Sequence, residues 1–298
     1  MPQIADAPFQ IPVRAYRRQL DSLVKQALAE DIGRGDVTVK ALGFGTTRGR
    51  ANLIAKSPGV LAGVDAFESA FRQLDPRCQF RWKVAEGAKF RAGVLIVQIH
   101  GRAAAILTGE RTSINFLARL SGIATATRSV ADLLPKGAAR ILDTRKTTPG
   151  WRYLEKRATI IGGAVNHRLG LYDALMVKDT HVEAVGSAER AMRRALAGAG
   201  RKIVICEIHH RSEIDVALSL GARWLLLDNF RVGELRAAVK KIRRFERMHE
   251  ASVTIEASGG VTAKTVAAIA RCGVDFISVG GITHSAPAVD FSMKWVMR

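Results

Sequence analysis

Cysteine is scarce in this chain, and its three copies form no recognisable pattern. Cys78, Cys206 and Cys272 are odd in number, widely scattered and without the close spacing of zinc ligands. A disulfide framework needs paired cysteines in an oxidising compartment. We therefore expect a reducing compartment, with neither disulfides nor a zinc site.

Long apolar stretches are missing as well. The N-terminal region carries three arginines but no apolar segment of signal-peptide type, and no uninterrupted apolar run approaches the length of a membrane span. Hydrophobic residues nevertheless make up 48% of the 298 residues, which is enough for a substantial core. These features predict a soluble globular protein of the cytoplasm, with no membrane partner.

Acidic residues are few compared with basic ones. The chain has 27 Asp and Glu against 46 Lys and Arg, which gives a formal net charge of +19. Such a charge suggests a nucleic-acid partner. The basic residues are, however, spread along candidate helices, as at 190–194 and 240–244, without the interleaved aromatic residues that stack on bases. A solvated basic surface that attracts small polyanions is therefore favoured, and nucleic-acid binding stays as an alternative.

The first part of the chain predicts helices and short strands. Residues 14–30 place apolar side chains at helical spacing, with one stripe for burial. Short apolar runs between Gly and Pro turns at 50–101 indicate a small α+β unit. The alanine-rich stretch 102–134 is typical of helix, and Gly109 and Gly122 within it favour two helices rather than one.

The rest of the chain alternates between candidate strands and helices. Strands are predicted at 139–143, 174–178, 202–207, 224–228, 253–257 and 275–279, and helices at 150–161, 187–198, 212–220, 231–248 and 263–271. Runs this apolar indicate a parallel sheet covered by helices. Periodicity alone leaves open whether that sheet closes. Every run ends in polar residues or glycine, however, and strand ends that share one site favour a β/α barrel.

Basic residues cluster behind the first two of these strands. Arg145 and Lys146 follow the first strand, Lys178 follows the second, and His167 and Arg168 lie between them. Ordinary surface arginines seldom recur at successive strand ends. Guanidinium groups grip carboxylates with two parallel hydrogen bonds. The cluster therefore predicts a pocket for a small molecule with several negative charges.

Two carboxylates end the strands that follow. Glu207 and Asp228 lie at adjacent strand ends in an otherwise cationic region. They need positive partners, which are either neighbouring Lys or Arg side chains or Mg²⁺ together with ribose hydroxyls.

Two glycine turns follow the last two candidate strands, in Ser258-Gly259-Gly260 and in Gly280-Gly281. Without a Cβ atom, glycine lets backbone N–H groups approach phosphate oxygens, and the loops after the last barrel strands often bind phosphate. One such pair is usually only a turn. Two pairs at successive strand ends favour a phosphate site.

Three segments resemble a single known family. Asp-Thr-Arg-Lys-Thr-Thr-Pro (143–149), Asn-His-Arg-Leu-Gly-Leu (166–171) and Lys-Asp-x-His (178–181) together resemble quinolinate phosphoribosyltransferase, also called nicotinate-nucleotide pyrophosphorylase (carboxylating). The resemblance implies a short, TIM-like C-terminal β/α barrel and an N-terminal α+β open-faced sandwich domain. The implied sandwich spans 1–115 and is rejoined by the tail 285–298, and the implied barrel spans 116–284.

The resemblance also implies an activity and a set of site residues. Quinolinate and phosphoribosyl pyrophosphate would yield nicotinate mononucleotide, pyrophosphate and CO₂ in de novo NAD biosynthesis, with Mg²⁺ as cofactor. Quinolinate would be held by Arg111, Thr144, Arg145, His167, Arg168 and Lys178. Phosphoribosyl pyrophosphate would be bound by Lys146, Glu207, Asp228, Ser258, Gly259, Gly260, Gly280, Gly281 and His284. The implied catalytic residues are Lys146, Glu207 and Asp228, of which Glu207 and Asp228 are also the expected Mg²⁺ ligands.

Arg111 and three departures from the family pattern complete the expectations. Arg111 precedes the barrel, and the resemblance implies that it enters the site of a neighbouring subunit, which requires at least a homodimer. Ile205 stands where the family usually has the first Glu of Glu-x-Glu, Thr180 stands for Asn and Ala164 stands for Gly. These departures bear on metal geometry and substrate detail. The alternative function is that of the paralogous molybdenum-transport-associated group, which uses a different acceptor.

Overall fold

A computed structural model describes residues 9–296 of the chain. It contains two compact units, each described by itself. The barrel unit comprises 9–10, 129–145 and 164–280, and the sandwich unit comprises 11–128, 146–163 and 281–296. Within residues 9–296, no helix combines the length and the apolar character needed to cross a bilayer. The three cysteines are free and buried.

Helices and strands alternate along most of the chain. The helices are α1 (Val13–Ile32), α2 (Val37–Leu42), α3 (Val64–Leu74), α4 (Ala103–Ala131), α5 (Arg152–Gly162), α6 (Asp179–Val185), α7 (Ala188–Gly198), α8 (Arg211–Ser219), α9 (Val232–His249), α10 (Val266–Ala270) and α11 (Gly281–His284). The strands are β1 (Arg48–Ala55), β2 (Gly59–Val60), β3 (Gln79–Trp82), β4 (Lys89–Phe90), β5 (Leu95–Arg102), β6 (Arg140–Leu142), β7 (Leu175–Val177), β8 (Val204–Ile208), β9 (Trp224–Asp228), β10 (Thr254–Ser258), β11 (Phe276–Ser278) and β12 (Phe291–Trp295). The six strands predicted after residue 138 are all confirmed, as are the helices predicted between them.

The sandwich unit is built on an antiparallel sheet with the strand order β12-β1-β5-β3. Burial alternates along β1, so one face of the sheet is covered and the other is not. Helices α3 and α4 cover the buried face with side chains such as Phe67, Phe71 and Leu117. The last strand pairs with β1 from Ala51 opposite Trp295 to Ala55 opposite Phe291, which returns the C-terminal tail to this unit.

Helix α4 is continuous from Ala103 to Ala131, so the prediction of two helices was wrong. A Cβ atom on Gly109 would lie 2.9 Å from Cδ1 of Phe71, and one on Gly122 would lie 2.1 Å from the carbonyl oxygen of Pro287. Both glycines therefore allow close packing inside the sandwich unit. Glycine costs an interior helix position about 1 kcal/mol relative to alanine, and the packing offsets this cost.

The barrel unit is built on six parallel strands in the order β6-β11-β10-β9-β8-β7. Val165 adds a parallel bridge to Leu142 of β6, which extends the sheet at that end. Strands β8, β9 and β11 are almost entirely buried, as expected for a sheet covered on both faces. The arrangement confirms the predicted β/α barrel-like domain, and it brings all six carboxyl ends of the strands to one edge.

Aromatic side chains fill the opposite end of this sheet. Trp224 and Phe276, the first residues of β9 and β11, stack with ring centroids 5.6 Å apart. Phe9 joins the same buried cluster and lies 6.2 Å from Trp224. These rings pack the interior of the barrel unit, and the cluster reaches His167, whose ring lies 5.8 Å from that of Phe9.

Candidate active site

The carboxyl ends of the barrel strands bring several of the predicted residues together. Glu207 lies in β8, Asp228 ends β9 and Ser258 ends β10 directly opposite Asp228. The backbone N–H of Asn229 donates a hydrogen bond to the backbone carbonyl of Ser258 at 2.8 Å, which connects these two strand ends. Lys178 follows β7, and its charge acts on Glu207.

His209 lies between the two carboxylates. Its Nε2 is 3.0 Å from Oε1 of Glu207, and its Nδ1 is 3.9 Å from Oδ2 of Asp228. Burial raises the pKa of the Glu207 carboxyl, Lys178 acts in the opposite direction, and Asp228 raises the pKa further. A cation between these groups would therefore stabilise the ionised form of Glu207.

The same region offers ligands for a divalent cation. Asp179, Glu207 and His209 each present one donor atom, and these atoms lie within 4.8 Å of one another. Two carboxylate oxygens suit a hard cation such as Mg²⁺, which takes its remaining ligands from water and phosphate. The sequence pointed to Glu207 and Asp228 as ligands. Asp179 and His209 were not predicted as ligands from the sequence, although Asp179 belongs to the Lys-Asp-x-His motif.

Asp143 anchors the segment that carries His167 and Arg168. It is fully buried at the end of β6, and its Oδ1 accepts a hydrogen bond from the backbone N–H of His167 at 2.8 Å. Its other oxygen accepts one from the side-chain amide of Asn166. Asp143 and Asn166 thus position the basic segment without belonging to the predicted binding residues. The only sequence signal was their place at the start of two of the three motifs.

Arg168 is buried among charges of both signs. Its Nη1 donates to the carbonyl of Ala174 at 2.9 Å. Burial lowers the pKa of its guanidinium, and the nearby charge of Arg145 lowers it further, while Asp173, Glu207 and Glu256 act in the opposite direction. Two guanidinium groups held close enough to repel each other favour a bound anion.

Only glycine fits at position 259 without a clash or backbone strain. Its φ of +88° lies in the left-handed region, and an added Cβ would lie 2.1 Å from Oδ1 and 2.9 Å from the backbone N of Asn229. Gly260 also has a positive φ, of +59°, but faces open space. Together with Ser258 they form a bare backbone turn beside the carboxylates, and Gly280 follows β11 at the same edge of the sheet.

Lys146, Gly281 and His284 belong to the sandwich unit. The hydroxyl of Thr283 donates to the carbonyl of Lys146 at 2.8 Å, which places the segments of Lys146 and His284 side by side. The resemblance assigns Lys146, Gly281 and His284 to phosphoribosyl pyrophosphate, and that assignment stays a prediction.

A partly buried ion pair that was not predicted from the sequence supports these segments. Arg119 donates from Nη2 to Oε1 of Glu155 at 2.9 Å and to the carbonyl of Thr283 at 2.8 Å. Glu155 is fully buried and also accepts from the hydroxyl of Thr148 at 2.8 Å. Because Arg119 and Glu155 are 36 positions apart, no local pattern in the sequence pairs them.

Arg111 and Thr144 lie in different units of the structure. Arg111 is exposed on α4 and lines a recess of the sandwich unit together with Asp31 and Asp36. Thr144 is partly buried and follows Asp143 at the end of β6. A role for Arg111 in a neighbouring subunit stays a prediction.

Two models of known protein families match most of the chain. Residues 36–121 match the family model described as quinolinate phosphoribosyl transferase, N-terminal domain, and residues 123–294 match the model of the C-terminal domain of the same family. This chain belongs to the quinolinate phosphoribosyl transferase family. The family that the sequence motifs predicted is thereby confirmed.

Individual relatives in the family match most of the chain. A probable nicotinate-nucleotide pyrophosphorylase [carboxylating] of Bacillus subtilis is 40% identical over 276 residues, which are 92% of this chain and 93% of the relative. A protein with the same name from Synechocystis is 40% identical over 278 residues, 93% of this chain and 92% of its own. The solved structure of the nicotinate-nucleotide pyrophosphorylase from Francisella tularensis has a TM-score of 0.88 at 34% identity and covers 98% of this chain and 100% of its own. These matches do not favour the molybdenum-transport-associated alternative.

Proposed function

We propose that this protein is a pentosyltransferase that joins quinolinate to phosphoribosyl pyrophosphate. The products are nicotinate mononucleotide, pyrophosphate and CO₂, and the reaction serves de novo NAD biosynthesis. The observation that carries the proposal is one sheet edge that combines mutually repelling guanidinium groups, a pair of carboxylates and a bare glycine turn. A dianionic acceptor, a ribosyl donor and a phosphate group each find a matching partner there.

The cations account for recognition of the acceptor. Quinolinate is planar and carries two adjacent carboxylates, and Arg145, Arg168 and Lys178 supply the positive charge for them. Guanidinium forks bind carboxylates in a fixed plane, which orients the ring nitrogen as well as neutralising the charge. Thr144 contributes a hydroxyl at the same strand end. This arrangement selects a dicarboxylate over a monocarboxylate such as nicotinate.

The carboxylates and the glycine turn account for the donor. The backbone N–H groups at Ser258, Gly259 and Gly260 bind the 5-phosphate of phosphoribosyl pyrophosphate. As pyrophosphate leaves, the ribose carbon gains positive charge, and Glu207 and Asp228 stabilise it electrostatically. Rate enhancement comes mainly from holding two anions in reacting geometry, so no covalent intermediate with the protein is needed.

Decarboxylation follows from the first step. Once the pyridine nitrogen carries the ribosyl group, it is positively charged and withdraws electrons from the ring. The C2–carboxylate bond then breaks, the electron pair stays on the ring carbon and CO₂ leaves, after which that carbon takes up a proton. Arg145, Arg168 and Lys178 keep the ring in place during both steps.

Cofactor, assembly and location belong to the same proposal. Asp179, Glu207 and His209, beside Asp228, would hold Mg²⁺, which would supply positive charge for pyrophosphate oxygens. The active assembly is a homodimer or a larger homo-oligomer in which Arg111 of one subunit enters the site of its neighbour. We place the protein in the cytoplasm, with neither nucleic acid nor a membrane as a partner.

The activity itself is the first prediction. Pure protein incubated with quinolinate, phosphoribosyl pyrophosphate and Mg²⁺ is expected to release pyrophosphate and CO₂ in equal amounts, because both leave in each turnover. Pyrophosphate is measured with a coupled phosphatase assay and CO₂ from carboxyl-labelled quinolinate. Nicotinate in place of quinolinate serves as the control. Pyrophosphate release with nicotinate but not with quinolinate would rule out the carboxylating reaction.

The metal site gives a second prediction, which concerns His209. Imidazole nitrogen binds Ni²⁺ well, whereas Mg²⁺ prefers oxygen ligands. His209→Asn is therefore expected to weaken Ni²⁺ binding by about tenfold or more and Mg²⁺ binding by less than about threefold. Isothermal titration calorimetry without substrates measures both affinities. His210→Asn, next to it but exposed, is the matched control. Equal loss of the two metals in His209→Asn would show that the imidazole is not a ligand.

A further inference from the structure

Glu256 is a buried acid that the proposed chemistry does not use. It lies in the middle of β10, and its side chain is fully buried within the barrel unit. One carboxylate oxygen accepts a hydrogen bond from Nε1 of Trp224 at 2.8 Å, and the other accepts from the hydroxyl of Ser278. Trp224 and Ser278 come from the two strands that flank β10, so three neighbouring strands converge on this carboxylate.

The carboxylate of Glu256 is held in its ionised form. Burial by itself raises the pKa of Glu256, but the contact with His167 and the hydrogen bonds from Ser278 and Trp224 outweigh burial and lower the pKa below its ordinary value. Enclosing an ionised group is costly unless partners satisfy it. A buried charge of this kind suggests a function beyond stability. The basic residue in contact with it, His167, belongs to the segment proposed to bind quinolinate.

The ring of His167 is hydrogen-bonded through Nδ1 and faces Glu256 with Nε2. Nε2 lies 3.4 Å from Oε2 of Glu256, and Nδ1 accepts a hydrogen bond from the backbone N–H of Arg168 at 2.7 Å. An amide nitrogen only donates, so Nδ1 carries no proton, and the proton of the ring is on Nε2, facing Glu256. Phe9 stacks on the ring at 5.8 Å with an angle of 9° between the planes. The orientation and the tautomer of the imidazole are both determined.

The contacts that start at Glu256 and pass through His167 end at Arg168. Its backbone is held by the His167 ring, and its guanidinium is held by the carbonyl of Ala174. A side chain that is fixed at both ends presents its remaining N–H donors in one direction, which is the preorganisation that a rigid dicarboxylate requires.

We propose that Glu256 is a positioning residue for quinolinate binding, which acts through His167 to hold Arg168 in its binding orientation. This inference rests on the proposed function for the identity of the ligand. Within residues 9–296, the side-chain contacts of Glu256 lead to Trp224, Ser278 and His167, whereas the glycine turn two residues further along the chain is fastened to Asn229. Loss of the Glu256 charge should therefore affect one substrate and not the other.

Glu256→Gln tests the proposal with little change of volume. The amide keeps an acceptor oxygen for Trp224 and a partner for Ser278, but it lacks the charge that strengthens the contact with His167. We expect the KM for quinolinate to rise by about tenfold, the range seen when the supporting partner of a ligating side chain is lost, while kcat and the KM for phosphoribosyl pyrophosphate change by less than about threefold. Asp215→Asn is the control, because it removes an exposed carboxylate of the same unit that pairs with Lys241.

Nuclear magnetic resonance of the imidazole nitrogens provides a readout without turnover. With ¹⁵N-labelled histidine, His167 of the wild-type protein is expected to be a single tautomer with its proton on Nε2, and Glu256→Gln is expected to show a second tautomer or exchange between two. The signal is assigned by its absence from His167→Gln. A proton on Nδ1 in the wild-type protein would overturn the proposal, and this result does not depend on the identity of the substrate.

Two substitutions of His167 separate support of Arg168 from direct contact with substrate. His167→Asn keeps an acceptor near the Arg168 amide, whereas His167→Gln reaches toward Glu256 and loses that acceptor. We expect His167→Asn to bind quinolinate about fivefold more tightly than His167→Gln, the value of one hydrogen bond. Equal loss in the two variants would overturn the proposal, as would a Glu256→Gln protein in which both KM values rise together or only thermal stability falls.

Discussion

Mixing an Arg111→Ala protein with an Arg145→Ala protein is expected to restore activity that neither variant has alone. In the proposed dimer, each site takes Arg145 from its own chain and Arg111 from the neighbour. Removal of either guanidinium leaves a quinolinate carboxylate without its partner, which costs roughly 2 to 5 kcal/mol in binding. A mixed dimer contains one site with both arginines, so it recovers half the activity of a wild-type dimer.

The size of the recovery follows from symmetry. Random exchange of equal amounts makes half of the dimers mixed, so the pool should reach about a quarter of wild-type activity. The fold should survive Arg111→Ala, since one exposed cation contributes little to stability. Exchange is verified by mass spectrometry of differently tagged subunits. Arg145→Ala mixed with Arg168→Ala is the control, because both residues come from the barrel unit and no site in that mixture is intact. Full exchange without recovery would show that Arg111 acts within its own chain.

Gly259→Ala is expected to remove most of the affinity for phosphoribosyl pyrophosphate. The new methyl group would lie 2.1 Å from Oδ1 of Asn229 and 2.9 Å from its backbone nitrogen, so the turn must move. A shift near 1 Å at a positioned binding group costs about 100-fold, and we expect the KM for phosphoribosyl pyrophosphate to rise by at least that factor. Quinolinate affinity, measured by calorimetry without the donor, should change little.

The control for this substitution separates steric clash from backbone strain. Gly221 has a φ of +91°, close to the +88° of Gly259, but a Cβ there meets nothing within 4 Å. Gly221→Ala therefore carries the same left-handed strain, about 1 to 2 kcal/mol, without a collision at the site. It should lower the Tm modestly and leave both KM values unchanged. If Gly259→Ala keeps a wild-type KM for phosphoribosyl pyrophosphate, the turn does not bind the phosphate.

The placement of charge would allow one sheet edge to bind two anions and still stabilise a cation, as the proposed function requires. Arg145, Arg168 and Lys178 follow the early strands, whereas Glu207 and Asp228 lie on the later ones. Because parallel strands end at a common edge, residues far apart in the chain acquire fixed positions in the order of the sheet. In the proposed reaction, the acceptor would meet the cations and the ribosyl carbon would meet the carboxylates.

Local patterns in the sequence determined the framework of the barrel unit. The six apolar runs were long enough and apolar enough to predict buried parallel strands, and each observed strand lies within two residues of its prediction. The residues that follow those runs were also correctly placed at one edge, because strand direction alone decides where a carboxyl end lies. The Arg-Lys, Asn-His-Arg and Lys-Asp segments indicated the family because each is a short contiguous motif that can be recognised without the fold.

Contacts between distant residues were decided only by the tertiary structure. Gly109 and Gly122 read as helix breaks, although they permit close packing of a continuous α4 against Phe71 and Pro287. The pairing of Glu256 with His167 depends on the order of strands in a folded sheet. Sequence periodicity reports which face of an element is buried but not which side chain it meets across the core. A buried charge and its partner are recognised only when the fold has brought them together.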